Sequence, residues 1–500
     1  MMAWKSFWRP CVAIAGFPLL IYGLAFAHPA LAGAGDECQV VPHERSQKLA
    51  ILQAAIAGDG NAARSYQTLL AQQAQRLHQC RQQSQITTQA TWLRLYPCDR
   101  HPGMLDALLD EIVNRGYNQV YIDAFSNGQV LLPAADNPTV WASVLQEPGA
   151  ENTDLLAMAI QKGRQRGLKV YAWVFSLNFG YAYAIRPERQ GVLARNGSGE
   201  TTASTAVKAR LETGRDITTT DEIFVDPYHP QVLSDYRQLI QAILKRRPDG
   251  ILFDYIRYPK GVGGASVASK VKDLWIYGEA AQQALYERAL NQKGQELIRR
   301  YVTQGYVTAE DLIAVDKLYP LEKEPLWQGR ISSMPWTESV AKRLPLIQQE
   351  LWKLTVAHAM QGPVDFLTTF ANLAHEQGVP AGAVFFPEAN QTVGRGFDSR
   401  LQAWDRFPPT IEWHPMAYGV CGHAGCIVEQ VQRVMEQAPA GTRVFPVLAG
   451  MWQQATAERP ALEAQMFALR SQFPTLQGVS HFSFGWQEPN WERDRKFCRG

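Results

Sequence analysis

The stretch Asp249-Gly250-Ile251-Leu252-Phe253-Asp254-Tyr255-Ile256-Arg257-Tyr258-Pro259 holds a short apolar run that ends in a carboxylate. Alternate side chains of a strand share a face, so Leu252 and Asp254 point the same way. A charged Asp at the mouth of an apolar strand is solvated, paired or chemically active. Arg257, three residues further on, is placed to hold Asp254 ionised. A structural Asp254–Arg257 pair and a catalytic Asp254 both account for the pattern.

The same kind of run recurs. Trp92–Tyr96, Gln119–Asp123, Lys169–Phe175, Gly250–Asp254, Gly382–Phe386, Thr410–Met416, Arg443–Leu448 and Gly478–Phe484 are β-rich, with longer helical stretches between them. Several follow a Gly that stops a helix, as in Arg115-Gly116-Tyr117 and Arg166-Gly167-Leu168. Eight alternating units predict a closed α/β fold, a (β/α)8 TIM barrel over 89–500, with reactive groups at the C-terminal strand ends. Two connections are long. Residues 177–224 are rich in Gly, Thr and Ser. Residues 260–378 are mostly helical, with helices expected at Glu279–Arg300 and Pro345–Met360, the second with Pro in its first turn. We read 260–350 as a helical insertion over the active face. Ahead of the barrel, 33–88 carries Leu49, Leu52, Ile56, Tyr66, Leu69 and Leu70 at helical spacing. It reads as a helical hairpin that packs on the barrel or binds an envelope partner.

The chain has 500 residues, 46% of them hydrophobic, and a net charge of +2. That suits one large barrel and gives no basic surplus for nucleic acid or a membrane surface. Residues 1–32 read as a signal peptide. Lys5 and Arg9 precede the apolar stretch 11–26, and Ala30-Leu31-Ala32 is a small-x-small cleavage site. The apolar run is short for a membrane span, which favours cleavage over an uncleaved anchor. The expected location is therefore periplasmic or secreted. Of seven cysteines, six remain after cleavage, an even number that suits disulfides in an exported chain. Cys38 and Cys80 flank the turn Gly58-Asp59-Gly60-Asn61 almost symmetrically, so an antiparallel hairpin pairs them. Cys421 and Cys426 close a short loop, and Cys98 is left with Cys498. No Cys-x-x-Cys pair or His cluster suggests a metal, and no cofactor is expected.

The Asp249–Pro259 stretch resembles the glycosyl hydrolase-like 10 family, a family 10 glycosylhydrolase-like group of TIM-barrel glycosidases. Asp226-Pro227-Tyr228-His229-Pro230-Gln231-Val232 and the helix through Arg246 are similar to the phrase that precedes Asp-Gly-Ile-x-Phe-Asp and Arg-Tyr-Pro in that family. Gln402-Ala403-Trp404 with Pro415-Met416-Ala417-Tyr418-Gly419 resembles its sixth strand, and Gly478–Gly485 its closing strand. These matches span 91–486 and leave out the hairpin. The sequence departs from the family at Tyr255, where many relatives carry a second Asp, and at Phe386-Pro387-Glu388-Ala389-Asn390 after strand five. The resemblance implies a glycoside hydrolase acting on a polysaccharide, such as peptidoglycan glycan strands or an exopolysaccharide.

Glycosidic hydrolysis uses two carboxyl groups that flank the bond. Asp254 is the expected nucleophile or charge stabiliser and Glu388 the expected general acid/base, with Asp123 at the end of strand two in reserve. An exposed loop Glu beside a Pro accounts for Glu388 equally well. A chitinase-type Asp-Gly-x-Asp-x-Asp-x-Glu is closed, because Ile256 occupies the Glu position. Trp173, Tyr418, Trp452 and Trp486 are candidate sugar platforms, and Arg257, Asn178, His414 and Gln487 candidate hydrogen-bonding partners. Core or rim packing explains any one of them alone. Asp226 before a helix reads as a cap. The alternative is a non-catalytic glycan- or envelope-binding barrel, which Tyr255 in place of a second Asp favours. A metal-dependent deacetylase is disfavoured for lack of a His/Asp cluster.

Overall fold

The structure is a computed structural model that describes residues 38–205, 222–332 and 334–498. The expected signal peptide lies outside the described residues, as does part of the 177–224 connection. Eight parallel strands form the centre: β1 (Thr88–Leu93), β2 (Gln119–Ser126), β3 (Lys169–Phe175), β4 (Gly250–Asp254), β5 (Ala381–Phe385), β6 (Glu412–Ala417), β7 (Val447–Ala449) and β8 (Gly478–Phe482). They pair in chain order, and β1 pairs with both β2 and β8, so the sheet closes into a (β/α)8 barrel. Strand edges differ from the expected ones where the apolar signal misleads. β1 begins at Thr88 rather than Trp92, because the polar Thr88 and Gln89 pair with Gly478 and Val479. In β7 the ladder is a single bridge at Val444 before Pro446, which has no N–H to give.

The barrel interior is filled by large rings set against glycines. Trp92 lies edge-on to Tyr121 and to Trp173, both at 4.9 Å, and Tyr121 to Tyr171 at 5.7 Å and His414 at 5.5 Å. A Cβ at Gly250 would lie 2.3 Å from the Tyr171 ring, and one at Gly478 would lie 2.0 Å from that of Phe445. Lower in the barrel, the Glu412 carboxylate accepts a hydrogen bond from Tyr171 (3.2 Å) and pairs with Arg443 at 3.0 Å.

Helices α1 (Pro42–Ile56) and α2 (Gly60–Gln83) form a hairpin tied by the Cys38–Cys80 disulfide. It packs on α3 (Met104–Asn114) and α4 (Leu155–Gln165) through a buried polar cluster. There Asp110 receives Tyr66 at 2.6 Å, Lys48 at 3.0 Å and Arg166 at 2.7 Å. Cys98–Cys498 and Cys421–Cys426 are the other two disulfides, the pairings that the spacing predicts. α5 (Pro230–Leu244) leads into β4. The expected helix at Glu279–Arg300 is two, α6 (Glu279–Tyr286) and α7 (Gln292–Gln304), because the Asn291 side chain caps Gly294 N at 2.8 Å. After α8 (Ala309–Leu318), α9 (Val340–His375) starts before Pro345 and runs through Pro363, its buried face outweighing the prolines' missing donors. Asp226 does not cap α5; the His229 ring does, accepting from Gln231 N. Asp226 instead accepts from Tyr228 N (2.9 Å) and from Ala281 N (3.0 Å), which fastens α6 to the barrel. Among the described residues no helix is long and apolar enough to cross a membrane.

Replacing Gly250 by Ala is predicted to cost about 1–3 kcal/mol, the usual penalty for overpacking a filled core. Calorimetry should show a lowered melting temperature; an unchanged one would contradict this packing account.

Candidate active site

β4 delivers Asp254 to the C-terminal mouth of the barrel, beside Phe175 of β3. Its residue is only 8% exposed. Trp173 Nε1 donates to Oδ2 at 3.1 Å, and the amide of Tyr255 donates to Oδ1 at 2.7 Å. Tyr255 sits at φ 55°, a left-handed conformation that a bulky residue adopts only under constraint. The constraints are visible. Its ring lies 4.2 Å from that of Phe175, its hydroxyl donates to Glu222 at 3.1 Å, and the Arg257 guanidinium lies 4.5 Å over the ring. The strained turn is what aims its amide at the carboxylate.

Burial pushes the Asp254 carboxyl from its ordinary 3.8 up to about 6, and the charge of Asp123 adds to this. The Tyr255 amide, Arg257 and Trp173 pull the other way. The direct Asp254–Arg257 ion pair expected from the sequence is absent among the described contacts: Arg257 Nη1 donates to the carbonyl of Tyr258 at 3.1 Å.

Asp123 is the carboxylate whose charge reaches Asp254. The register pairs Leu93 with Ile122, which brings Arg94 alongside Asp123. Arg94 Nε lies 3.0 Å from Asp123 Oδ2, and Ser126 Oγ donates to the same oxygen at 2.7 Å. A bulge follows at once, between Asp123 and Phe125. Burial raises the proton affinity of Asp123, and Arg94 and Ser126 oppose the rise. Asp123 is also the cross-strand neighbour of Trp173, so one indole stands beside both carboxylates.

A cavity of about 140 Å³ opens here, walled by Asp254, Trp173, Tyr255, Arg257, Phe386 and Tyr418 among others. A second hollow of about 240 Å³ shares Trp92, Arg94, Trp173 and Phe482 with it and reaches Trp486 and Glu492. Together they make a cleft with aromatic walls. Trp486 is 50% exposed at its outer end.

Other residues singled out in the sequence lie elsewhere. Glu388 accepts from Arg400 Nη1 at 3.2 Å and is not among the residues that line the cavity. Asn178 is fully buried, and its Oδ1 accepts from Gly180 N and Ile223 N, bracing the loop after β3. His414 is inside the barrel against Glu412, at 3.3 Å. Trp452 Nε1 donates to the Tyr117 hydroxyl at 3.1 Å, which donates to Gln487 at 3.0 Å; neither Trp452 nor Gln487 lines the cavity. Sequence reasoning missed Arg94, Phe386 and Phe482. Arg94 was reachable, since it follows Trp92 by two positions and alternation puts both on the inner face.

The raised proton affinity of Asp254 has a stability consequence. The neutral form is favoured in the folded state, so its contribution is present in full below about pH 3.8 and is lost as the pH rises through about 6. The loss amounts to about 3 kcal/mol, at 1.36 kcal/mol per unit. Asp254→Asn is therefore expected to raise the melting temperature at pH 8 and to have little effect at pH 4. A difference that does not change with pH would contradict the burial of this charge.

Residues 87–303 match the family model described as glycosyl hydrolase-like 10. None of the curated proteins matches the chain. Solved structures with the same type of fold include the PgaB (BpsB) glycoside hydrolase domain of Bordetella bronchiseptica. It is 15% identical with a TM-score of 0.46, over 82% of this chain and 98% of that one. A GH20 exo β-N-acetylglucosaminidase of Vibrio harveyi, in complex with N-acetylglucosamine, is 11% identical with a TM-score of 0.38, over 85% of this chain and 58% of that one. A GH18 chitinase of Pseudoalteromonas aurantia is 11% identical with a TM-score of 0.34, over 81% and 97%. Residues 87–303, which hold β1 to β4 and with them Asp123 and Asp254, thus carry the sequence pattern of the glycosyl hydrolase-like 10 family.

Proposed function

We propose that this protein is a glycoside hydrolase acting on a polysaccharide outside the cytoplasm, with Asp254 as proton donor and Asp123 as its ionised partner. The observation that carries the reading is a pair of buried carboxylates at one barrel mouth whose environments differ. Asp254 is held at about 6 by burial, whereas Asp123 faces Arg94 directly. Acid-assisted glycosidic cleavage uses two carboxyl groups, one to give a proton and one to meet the positive sugar. Asp254 would protonate the leaving oxygen. Asp123, facing Arg94 and Ser126, would stabilise or attack the developing positive sugar. The roles differ from the sequence-based expectation, in which Asp254 was the nucleophile and Glu388 the acid. Asp123 and Glu388 each pair with an arginine and neither lines the cavity. Asp123 is preferred because its charge acts on Asp254 and because it neighbours Trp173, whose indole donates to Asp254. Tyr418 and Trp486 are the sugar platforms that this reading favours. Three disulfides support an exported protein, periplasmic or secreted, and peptidoglycan glycan strands or an exopolysaccharide are the substrates in view.

The test is reducing-sugar release from purified glycan strands and a panel of exopolysaccharides. Asp254→Asn and Asp123→Asn are each expected to lower kcat by about 10²–10⁴-fold, the usual worth of a positioned acid or base. Glu388→Gln should leave it of the same order. Release should fall as the pH rises through about 6, where Asp254 gives up its proton. Loss in Glu388→Gln with activity kept in Asp123→Asn would return the second role to Glu388. Binding without release from any glycan would favour a non-catalytic glycan-binding barrel, a reading that the small cavity at Asp254 supports.

A further inference from the structure

Arg257 differs from the buried arginines Arg166, Arg400 and Arg495, each of which meets carboxylates. Arg166 pairs with Asp106 and Asp110, Arg400 with Asp398 and Glu388, and Arg495 with Asp99 and Glu492. Arg257 is just as enclosed, 6% exposed, yet among the described residues no carboxylate lies within ion-pairing distance of it. One nitrogen donates to the carbonyl of Tyr258; the rest of the guanidinium has no acceptor among the described residues. The rings of Tyr255, Phe224 and Phe386, at 4.5, 5.6 and 5.7 Å, hold it in place on the cavity wall beside Asp254. Ring contacts offset part of the cost of burying a cation, and among the described residues no carboxylate reaches ion-pairing distance to offset the rest. Across the cleft, Arg94 commits its Nε to Asp123, and its side chain is 45% exposed. The mouth therefore presents two guanidinium groups to whatever fills it, one of them without an ion-paired carboxylate among the described residues.

We propose that the polysaccharide is acidic: the sugar bound against Asp254 carries a carboxylate, as a uronic acid does, and Arg257 receives it. A planar guanidinium matches a carboxylate with two parallel hydrogen bonds, and exclusion of water by the surrounding rings strengthens the pairing. Arg94 adds positive field from the other wall and sets the approach of an anionic chain. The inference rests on the mouth being a sugar-binding site, as proposed above, but not on its being catalytic.

The experiment measures binding of the purified full chain to polygalacturonate, alginate and hyaluronan, each beside its carboxyl-reduced form. κ-Carrageenan represents sulfate esters, and amylose and chitin oligosaccharides represent neutral glycans. At least one uronate polymer is expected to bind, and reduction of its carboxyls to weaken binding by about tenfold or more, the worth of one charge-assisted pair. Arg257→Gln should weaken binding of the acidic polymer to the same extent and leave that of the reduced polymer unchanged, with Arg257→Lys in between. If Arg257→Gln does not fold, the wild-type comparison of acidic and reduced polymers decides alone. Equal binding of the two forms, binding of no uronate polymer, or preference for carrageenan would each overturn the proposal. Uronate binding that depends on Arg257 but never leads to cleavage would refute the hydrolase and keep this inference. Asp254-dependent cleavage of a neutral glycan, with KM unchanged in Arg257→Gln, would do the reverse.

Discussion

The withdrawal of one carboxyl group from water governs this barrel mouth. Asp254 ends an apolar strand, and the collar of Trp173, Phe175, Tyr255 and Tyr418 leaves it almost no solvent. Two donors replace the lost water, the Trp173 indole and the Tyr255 amide. The amide reaches it only because Tyr255 accepts a left-handed backbone. Such strain persists when the surroundings over-determine it, and here Phe175, Glu222 and Arg257 all grip the same side chain. The compensation is partial, and a proton held to about pH 6 is the remainder. Stability is given up at the point where, on the proposed function, a proton is to be transferred.

The rest of the molecule keeps that mouth rigid. Glycines in β4 and β8 let large rings fill the barrel interior, so the strand ends have little freedom to shift. The segment between β4 and β5 is fastened to the barrel by polar contacts instead of being left to swing. Asp226 caps α6, and His358 of α9 accepts Arg288 Nε at 2.8 Å while its ring stacks on Tyr228 at 4.5 Å. Burial and Arg288 push the His358 imidazole down to about 3, so it stays neutral and this fastening does not loosen in mild acid. On the opposite side, Asp110 gathers Tyr66, Lys48 and Arg166 and anchors the N-terminal hairpin.

The fold was legible because each strand is a compact apolar run and each run is separated by a helix-length stretch. The strand edges were not, since pairing partners rather than hydrophobicity decide where Thr88 joins and where Pro446 interrupts. In the site, Asp254, Asp123, Trp173 and Tyr418 could be read from alternation and strand ends alone. Glu388 looked equivalent to them in sequence, but its partner, Arg400, comes twelve residues later on a return of the same loop. Asn178, His414, Trp452 and Gln487 are polar or aromatic near strand ends for another reason: they brace loops and fill the barrel. No local pattern separates a brace from a ligand contact when the partner, as with Tyr117 for Trp452, is 335 residues away. That Arg257 meets no carboxylate among the described residues was equally invisible, because the sequence shows the neighbour Asp254 and not the distance between them.

Asp254 is to hold its proton up to about pH 6, and its carboxyl stretch can be followed directly. Infrared difference spectra of wild-type protein against Asp254→Asn, recorded from pH 3 to 9, isolate that one group. A protonated carboxyl band with a midpoint at about 6 is the result predicted. A midpoint at the ordinary 3.8 would mean that the carboxylate is solvated after all, and would remove the physical basis for Asp254 as the proton donor.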